Sequence, residues 1–471
     1  MSGGAVAAVD LGATSGRVIV GRVGPDTLDV RQVARFANTP VRAGVGLHWD
    51  VLGLYGDALD GLREALRTEP GIASIGVDSW AVDYALLRDG RMLGTPFHYR
   101  DERCERGVAA VHARMPHAEL FARNGLQFLP FTTLYQLAAE DPALLEIADT
   151  ALLIPDLIGF WLTGRAVAER TNASTTGLLH GGAWDDDLVD ALGVPRGILP
   201  PLVSPGERIG MLRPDVAASI GARADLPVTA VGSHDTASAV VAVPMQAEHA
   251  AYISCGTWGL VGVEVPQPVL TEAALAANFT NEGGADGRVR LLHNVMGLWV
   301  LTETVRGWER AGTAIDLPAL LTEAAAIDPA AVPVFDIEDA RFLPPGDMPA
   351  RIDAWCAEHS LRPPRTRAEY ARAIVESLAR AFTETVDAAS RVSGVDVRAI
   401  HIVGGGALNE LLCQRVADRS GIPVLAGPVE ATALGNLLIQ ARAAGFVTGS
   451  LEALRDLVAR THAPRRFTPG A

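Results

Sequence analysis

The run Ala5-Val-Ala-Ala-Val-Asp10-Leu-Gly12-Ala-Thr14-Ser-Gly16-Arg17-Val-Ile-Val-Gly-Arg-Val23 decides how the rest of the chain is read. Residues 5–9 are apolar, and 17–23 form a second apolar run with β-branched side chains. A glycine-rich segment separates them. The pattern predicts strand, turn, strand: a hairpin. Glycines let a backbone approach an anion closely. Successive N–H groups and two hydroxyls can cradle phosphate oxygens. Ala13, Thr14, Ser15, Gly16 and Arg17 are therefore candidate phosphate binders, with Arg17 adding a permanent charge. Asp10 is a candidate holder of hydrated Mg²⁺, which keeps several waters when bound. The same residues would also serve a plain hairpin with Asp10 solvated.

Working outward, the layout recurs. Residues 251–254 and 260–265 flank Cys255-Gly-Thr257-Trp-Gly259, a second strand–turn–strand with glycine and threonine at the turn. The two halves read as an internal pseudo-repeat, with a boundary near 244–249. A third glycine cluster, Gly404-Gly405-Gly406, follows an apolar strand and precedes a helical pattern. That is where an anion or purine meets a helix N-terminus, or simply where a strand joins a helix. Helix is predicted over 51–66 and 366–392, strand over 72–77 and 82–87, and a mainly helical stretch over 105–168. Strands alternating with helices place the chain in the α/β class, as two domains, 1–243 and 244–471. Two such domains facing each other leave a cleft, a usual place for a ligand.

His234-Asp235 lies between an apolar strand and a helix of small residues. Asp there can cap the helix, or serve as a base kept ionised by the helix N-terminus. Asp78 and Asp83 flank Trp80 near a strand end, where ligands of α/β folds bind. Trp80 can stack on a sugar or sit in the core. Trp184-Asp-Asp-Asp187 looks like a metal-ligand run but reads better as a solvated loop. Asn281-Glu-Gly-Gly284 can bind hydroxyls or make a turn.

Composition excludes several classes. The chain has 471 residues, 49% hydrophobic and 20% charged, which is ordinary globular usage. Net charge is −15, so no nucleic-acid or anionic-membrane partner is expected. All 40 basic residues are Arg. A Walker A loop, a protein kinase and a Schiff-base enzyme each need a Lys and are excluded. The four cysteines make no C-x-x-C, so no structural zinc is expected. The N-terminus lacks a basic leader and no run of about 18 apolar residues occurs. A cytoplasmic location is the expectation; monomer and dimer both stay open.

Asp10–Arg17, Ser233–Thr236, Gly256–Trp258, Gly404–Asn409 and Glu430–Asn436, in that order and spacing, together resemble the FGGY carbohydrate kinases. The resemblance covers nearly the whole chain. The stretches AVDLGATSGRV (8–18), GVDSWAVDYALL (76–87), YRDER (99–103), GLQFLPFTTLYQL (125–137), GSHDTASAV (232–240), AANFTNEGG (276–284) and HIVGGGALN (401–409) resemble most the members that phosphorylate L-rhamnulose.

That resemblance implies two ribonuclease-H-like domains around a central cleft. It implies transfer of the γ-phosphate of MgATP to the 1-hydroxyl of L-rhamnulose, in rhamnose catabolism. By the same resemblance Asp235 is the proton acceptor, and His234, Thr236, Asn294 and the position of Ala81 bind sugar. The Ala13–Arg17 turn and Thr257 hold phosphates, and Thr302 and Gly405 meet the nucleotide. Two positions depart from the family pattern: Ala81 stands where Gly is expected, and Thr302 where Gln is expected. An added methyl is felt in a tight pocket, so a kinase for L-fuculose, xylulose or ribulose is the alternative. A non-catalytic nucleotide sensor on the same fold is a further one. Cys356 matches a cysteine that some relatives pair, but the partner position is Ala373, so no bridge is implied.

Overall fold

The computed structural model describes residues 3–44 and 46–470. Met1 and Ser2, part of the reading for a leader, lie outside them. The chain forms two compact units. The first gathers Met1–Pro244, Val265–Arg290 and Ala431–Thr461; the second gathers Met245–Glu264, Leu291–Glu430 and His462–Ala471.

The first unit is built on a six-stranded sheet in the order Arg208–Met211, Pro227–Thr229, Ile72–Ser79, Gly4–Leu11, Ser15–Gly24, Thr27–Ala37. The last three strands are antiparallel neighbours. Gly4–Leu11, Ile72–Ser79 and Pro227–Thr229 run parallel. Gly4–Leu11 is buried along nearly its whole length, as a central strand covered on both faces must be. One cover is the helix Val51–Thr68, whose Leu54, Ala58, Leu62 and Ala65 form a buried stripe at helical spacing. Another is Ala431–Ala443, where glycine permits close approach: a Cβ on Gly435 would sit 1.8 Å from the Ser238 carbonyl oxygen of the helix Asp235–Val241. A satellite core of Tyr84, Leu86, Leu120, Tyr135, Leu153 and Leu188 holds the helical insertion together.

The second unit repeats this order. Within a seven-stranded sheet, six successive strands run Val289–Met296, Trp258–Val265, Ala250–Cys255, Ala399–Val403, Val424–Ala426, Arg465–Phe467. Ala250–Cys255 is antiparallel to Trp258–Val265 and parallel to Ala399–Val403, which is parallel to Val424–Ala426. Each unit thus places an antiparallel hairpin before two parallel strands and ends on an antiparallel edge strand. This is the ribonuclease-H-like build expected of both halves, and it makes the pseudo-repeat a matter of topology.

Local differences from the sequence reading have physical causes. The strand expected from residue 82 starts at Tyr84, because Val82 has φ 67°. The stretch 105–168 contains the strand Thr150–Leu153 among its helices. The acidic run is no solvated loop at its first member: Asp185 is buried, caps Asp186–Leu192 through Leu188 N, and pairs with Arg123 at 2.6 and 2.8 Å. Pro155 lies in the first turn of Ile154–Thr163, where a missing N–H costs nothing. The four cysteines are free and buried. Among the described residues, no helix is long and apolar enough to cross a membrane.

Candidate active site

In the first unit, three chain segments leave the sheet at the carboxyl ends of its parallel strands. These are Asp10–Gly12, Asp78–Trp80 and Ser233–Asp235. Ser79 N donates to Ser233 O at 2.9 Å and Trp80 N to Leu11 O at 3.2 Å, so the segments are laced together by backbone bonds. Such strand ends are where open α/β sheets place their ligands.

The first turn is tight. Gly12 N donates to Ser15 O at 2.9 Å, and Asn38 braces it, its N–H reaching Thr14 O and its side chain Gly12 O. Thr14 is exposed at the tip, Ala13 and Ser15 are half-buried, and Gly16 is buried with no room for a Cβ beside Phe36. Arg17 pairs with Asp10, Nε to Oδ2 at 2.9 Å.

Asp10 and Asp78 are register partners on adjacent parallel strands. Asp78 is fully buried. Burial, and next the Asp10 carboxylate, push its carboxyl well above the usual range; Asp235 adds to this, while Asn436 and Arg17 oppose it. Asn436 donates to Asp78 Oδ2 at 2.5 Å, and Gln440 holds Asn436 at 2.6 Å.

Asp235 opens the helix Asp235–Val241, but it does not cap it: the cap is His234, which makes no side-chain capping bond. The Asp235 side chain is free for other work and 31% exposed. Thr236 Oγ1 donates to its Oδ1 at 3.1 Å, and His234 Nε2 lies 3.4 Å from the same oxygen. Among the described residues, no hydrogen bond reaches Oδ2.

Two carboxylates that single residues did not announce support this loop. Glu169 is buried and accepts from Ser233 N and Oγ at 2.9 and 3.0 Å, and from Thr171 N and Oγ1 at 2.9 and 2.5 Å. Burial raises its carboxyl while these bonds oppose the shift. Glu282 is buried near His234 and Arg290. Burial would raise its carboxyl, but Arg290, with help from His234, holds it below the usual range. Glu282 lies within the matched stretch 276–284, which was the available signal; Arg290 carried none. Asn281 is structural: it binds Val269 N and O and Gly125 O.

Trp80 is buried with its ring 4.1 Å from that of Trp49, and Ala81 beside it is half-buried. Asp83 anchors the wall: Trp49 Nε1, Trp80 Nε1 and Tyr99 N donate to Oδ2, and Gln136 Nε2 to Oδ1.

The second unit carries the remaining candidates. In its turn Gly256 N donates to Trp258 O at 2.8 Å, and Thr257, half-buried, accepts from Trp299 N. Thr302 is exposed in the helix Trp299–Arg310; Asn294 is half-buried on Val289–Met296. Gly404 (φ 78°) and Gly406 press on Cys255, where a Cβ on Gly406 would lie 2.4 Å from the Cys255 Cβ. Gly405 is exposed, its nearest atom 4.0 Å from an added Cβ. Gly405 therefore faces outward from a glycine turn packed against the hairpin.

Among the described residues, no three His, Cys, Asp or Glu side chains stand grouped as a ready metal site. A hard cation bound through one or two carboxylates, waters and substrate phosphates needs no such group. Asp10, beside a buried carboxyl that two other carboxylates disfavour ionising, suits that donor set.

Residues 5–242 match the FGGY family of carbohydrate kinases, N-terminal domain, and 251–444 its C-terminal domain. A rhamnulokinase of Pectobacterium atrosepticum is 43% identical over 474 residues, covering 99% of this chain and 93% of that protein. One of Bacteroides thetaiotaomicron is 38% identical, covering 98% and 95%. Among solved structures, a gluconate kinase from Lactobacillus acidophilus superposes with a TM-score of 0.80 at 17% identity, covering 100% of this chain and 94% of that one. A xylulose kinase from Rhodospirillum rubrum gives 0.78 at 23% identity, covering 99% and 94%. At those identities the structures speak for the fold alone.

Proposed function

The chain belongs to the FGGY family of carbohydrate kinases, and we propose that it transfers the γ-phosphate of ATP to the 1-hydroxyl of L-rhamnulose. The observation that carries this reading is the near full-length match, at 38–44% identity, to proteins named rhamnulokinase. Structures of gluconate and xylulose kinases at 17–23% identity do not discriminate among sugars.

Phosphoryl transfer asks mainly for positioning and for a group that accepts the hydroxyl proton as the new O–P bond forms. Asp235 has that role here. Its Oδ1 is addressed by Thr236 and His234, and its Oδ2 is left to receive the proton. His234 and Thr236 bind sugar from either side of the base in sequence. Ala81 and Trp80 form an apolar wall; the Trp80 N–H is already given to Asp83, so its ring offers only its apolar surface. Asn294 is assigned to the sugar, and Thr302 to the nucleotide.

In the first unit, the Ala13–Arg17 turn offers N–H groups, the Thr14 and Ser15 hydroxyls and a guanidinium to phosphate oxygens. In the second, Thr257 is assigned to phosphate and Gly405 to adenosine. Asp10 would hold Mg²⁺ through its water shell, and the bound ion would neutralise charge on the phosphates. The base and the sugar pocket, Asn294 apart, are assigned to 1–243 and the adenosine site to 244–471, and the reaction to the cytoplasm.

The test is a coupled ADP-release assay with MgATP over L-rhamnulose, L-fuculose, L- and D-xylulose, L-ribulose and glycerol. Highest turnover on L-rhamnulose is expected. Highest turnover on another sugar would refute the substrate and point to Ala81. ATP binding without turnover on any sugar would refute the kinase reading in favour of a sensor.

A further inference from the structure

His234 has two ring nitrogens with different neighbours. Nε2 faces Asp235 Oδ1 at 3.4 Å. Nδ1 faces Arg290 Nη2 at 3.1 Å and Glu282 Oε2 at 3.3 Å. Of the two Nδ1 contacts, only that to Arg290 has hydrogen-bond geometry. An arginine has donors and no acceptor. An N–H pointing at Nδ1 therefore requires a lone pair there, and the ring proton then sits on Nε2.

Arg290 is itself fixed. Its side chain is fully buried, its Nε donates to Gly283 O at 2.9 Å, and Glu282 Oε2 lies 3.0 Å from Nη2 as its counter-ion. A buried charge pair of this kind gains little net stability against a well-packed apolar pair, which makes a positioning role the more economical reason for it.

We propose that Arg290, with Glu282 as its counter-ion, is a positioning residue that holds His234 with its proton on Nε2, so that Asp235 Oδ2 is the terminal acceptor of the sugar proton. The inference rests on the reading of Asp235 as the base. As the sugar O–P bond forms, the bond from the γ-phosphorus to the bridging oxygen breaks and ADP leaves, the hydroxyl proton passes to Oδ2, and the carboxylate becomes a carboxylic acid. His234 cannot carry that proton onward: Nε2 already has one, and Nδ1 is occupied by the Arg290 N–H. The Nε2 proton is held facing Oδ1, 3.4 Å away and short of a formed hydrogen bond, so its charge lies on the side of the carboxylate opposite the accepting oxygen. The proton leaves from Asp235 itself, which is partly exposed.

The experiment reads the ring directly, by two-bond proton–nitrogen correlation spectra of the full chain labelled with ¹⁵N-histidine. A His234→Gln variant identifies the resonance. The resting protein is expected to show a protonated Nε2 and a bare Nδ1. A proton on Nδ1, or an average of the two forms, overturns the proposal. The variant Arg290→Gln/Glu282→Gln removes both charges together, so neither is left buried alone. It is expected to average the two tautomers and to lower kcat about tenfold to a hundredfold, the scale of a misplaced catalytic group, with KM for ATP unchanged. Unchanged kcat in a folded double variant overturns the positioning role. If that variant does not melt cooperatively, the wild-type spectrum alone decides. The spectrum is read without turnover, so failure of the sugar panel would sink the kinase reading and leave the tautomer standing.

Discussion

Trp80 and Asp83 are joined side chain to side chain, the indole N–H of Trp80 donating to Asp83 Oδ2 at 3.1 Å. Between them the chain turns sharply. Asp83 N donates to Ala81 O at 2.9 Å across Val82, whose φ is 67°. This is a γ-turn of the strained kind, at a β-branched residue that rarely adopts such a φ. Strain of this sort persists only where the surroundings over-determine it. Here four donors fix Asp83, and Thr133 Oγ1 donates to Val82 O at 2.7 Å. The strain sits beside Ala81, one of the positions proposed to bind the sugar.

Tryptophan emission should titrate with a midpoint of about 6. Burial pushes the Asp83 carboxyl up to about 6, against its four hydrogen bonds, and two of those donors are Trp49 and Trp80. His98, stacked on Trp49, is pushed down to about 3, chiefly by burial, so it stays silent in that window. The folded pKa lies above the unfolded carboxylate value of about 4. The folded state therefore holds the proton more tightly. This site's contribution to stability is fully present below about pH 4 and falls as pH rises to about 6. The emission step should vanish in Asp83→Asn; a step that survives assigns it elsewhere.

Asp235→Asn should keep sugar affinity and lose turnover by a factor of about 10²–10⁴, the usual worth of a positioned base. The amide keeps the shape of the side chain and cannot accept the proton. Calorimetry with sugar and a coupled ADP assay read the two quantities separately. Turnover near that of the wild type would remove Asp235 as the base.

The two neighbouring glycines at 405 and 406 should respond to alanine in opposite ways. At Gly406 the new methyl meets Cys255 Cβ at 2.4 Å and Sγ at 2.5 Å, so Gly406→Ala should destabilise by about 1–3 kcal/mol. At Gly405 the nearest atom is 4.0 Å away, so Gly405→Ala should leave the Tm alone and raise KM for ATP. Thermal melts and ATP saturation curves separate the two. An unchanged ATP KM in Gly405→Ala would detach that residue from the nucleotide.

Asp156→Asn should stabilise the protein at neutral pH. Burial, and next the neighbouring Glu169, hold the Asp156 carboxyl well above its usual range. Its Oδ1 accepts from Glu169 N at 3.1 Å, a bond the amide oxygen can keep. Because the folded pKa is raised, the native state is favoured below the unfolded pKa and loses that advantage as pH rises through the folded value. The amide is neutral at every pH. The gain in Tm over wild type should therefore grow from acid to neutral pH; a gain constant with pH would refute the cause.

What the sequence determined by itself is what short-range pattern encodes. The apolar runs around Asp10–Arg17 and Cys255–Gly259 specify two hairpins, because alternating β-branched segments broken by glycine have few other solutions. The ordered motifs specify the family, and with it Asp235 as a candidate base. The sequence could not decide that His234 rather than Asp235 caps the helix Asp235–Val241, because both residues satisfy the same local pattern. It could not pair Asp78 with Asn436, 358 positions away, or bring Arg290 to His234 across 56. Those partners come from other elements, placed by sheet order and helix packing. A hydrogen bond depends on distance and direction between atoms, and only the folded chain fixes those for residues far apart in sequence.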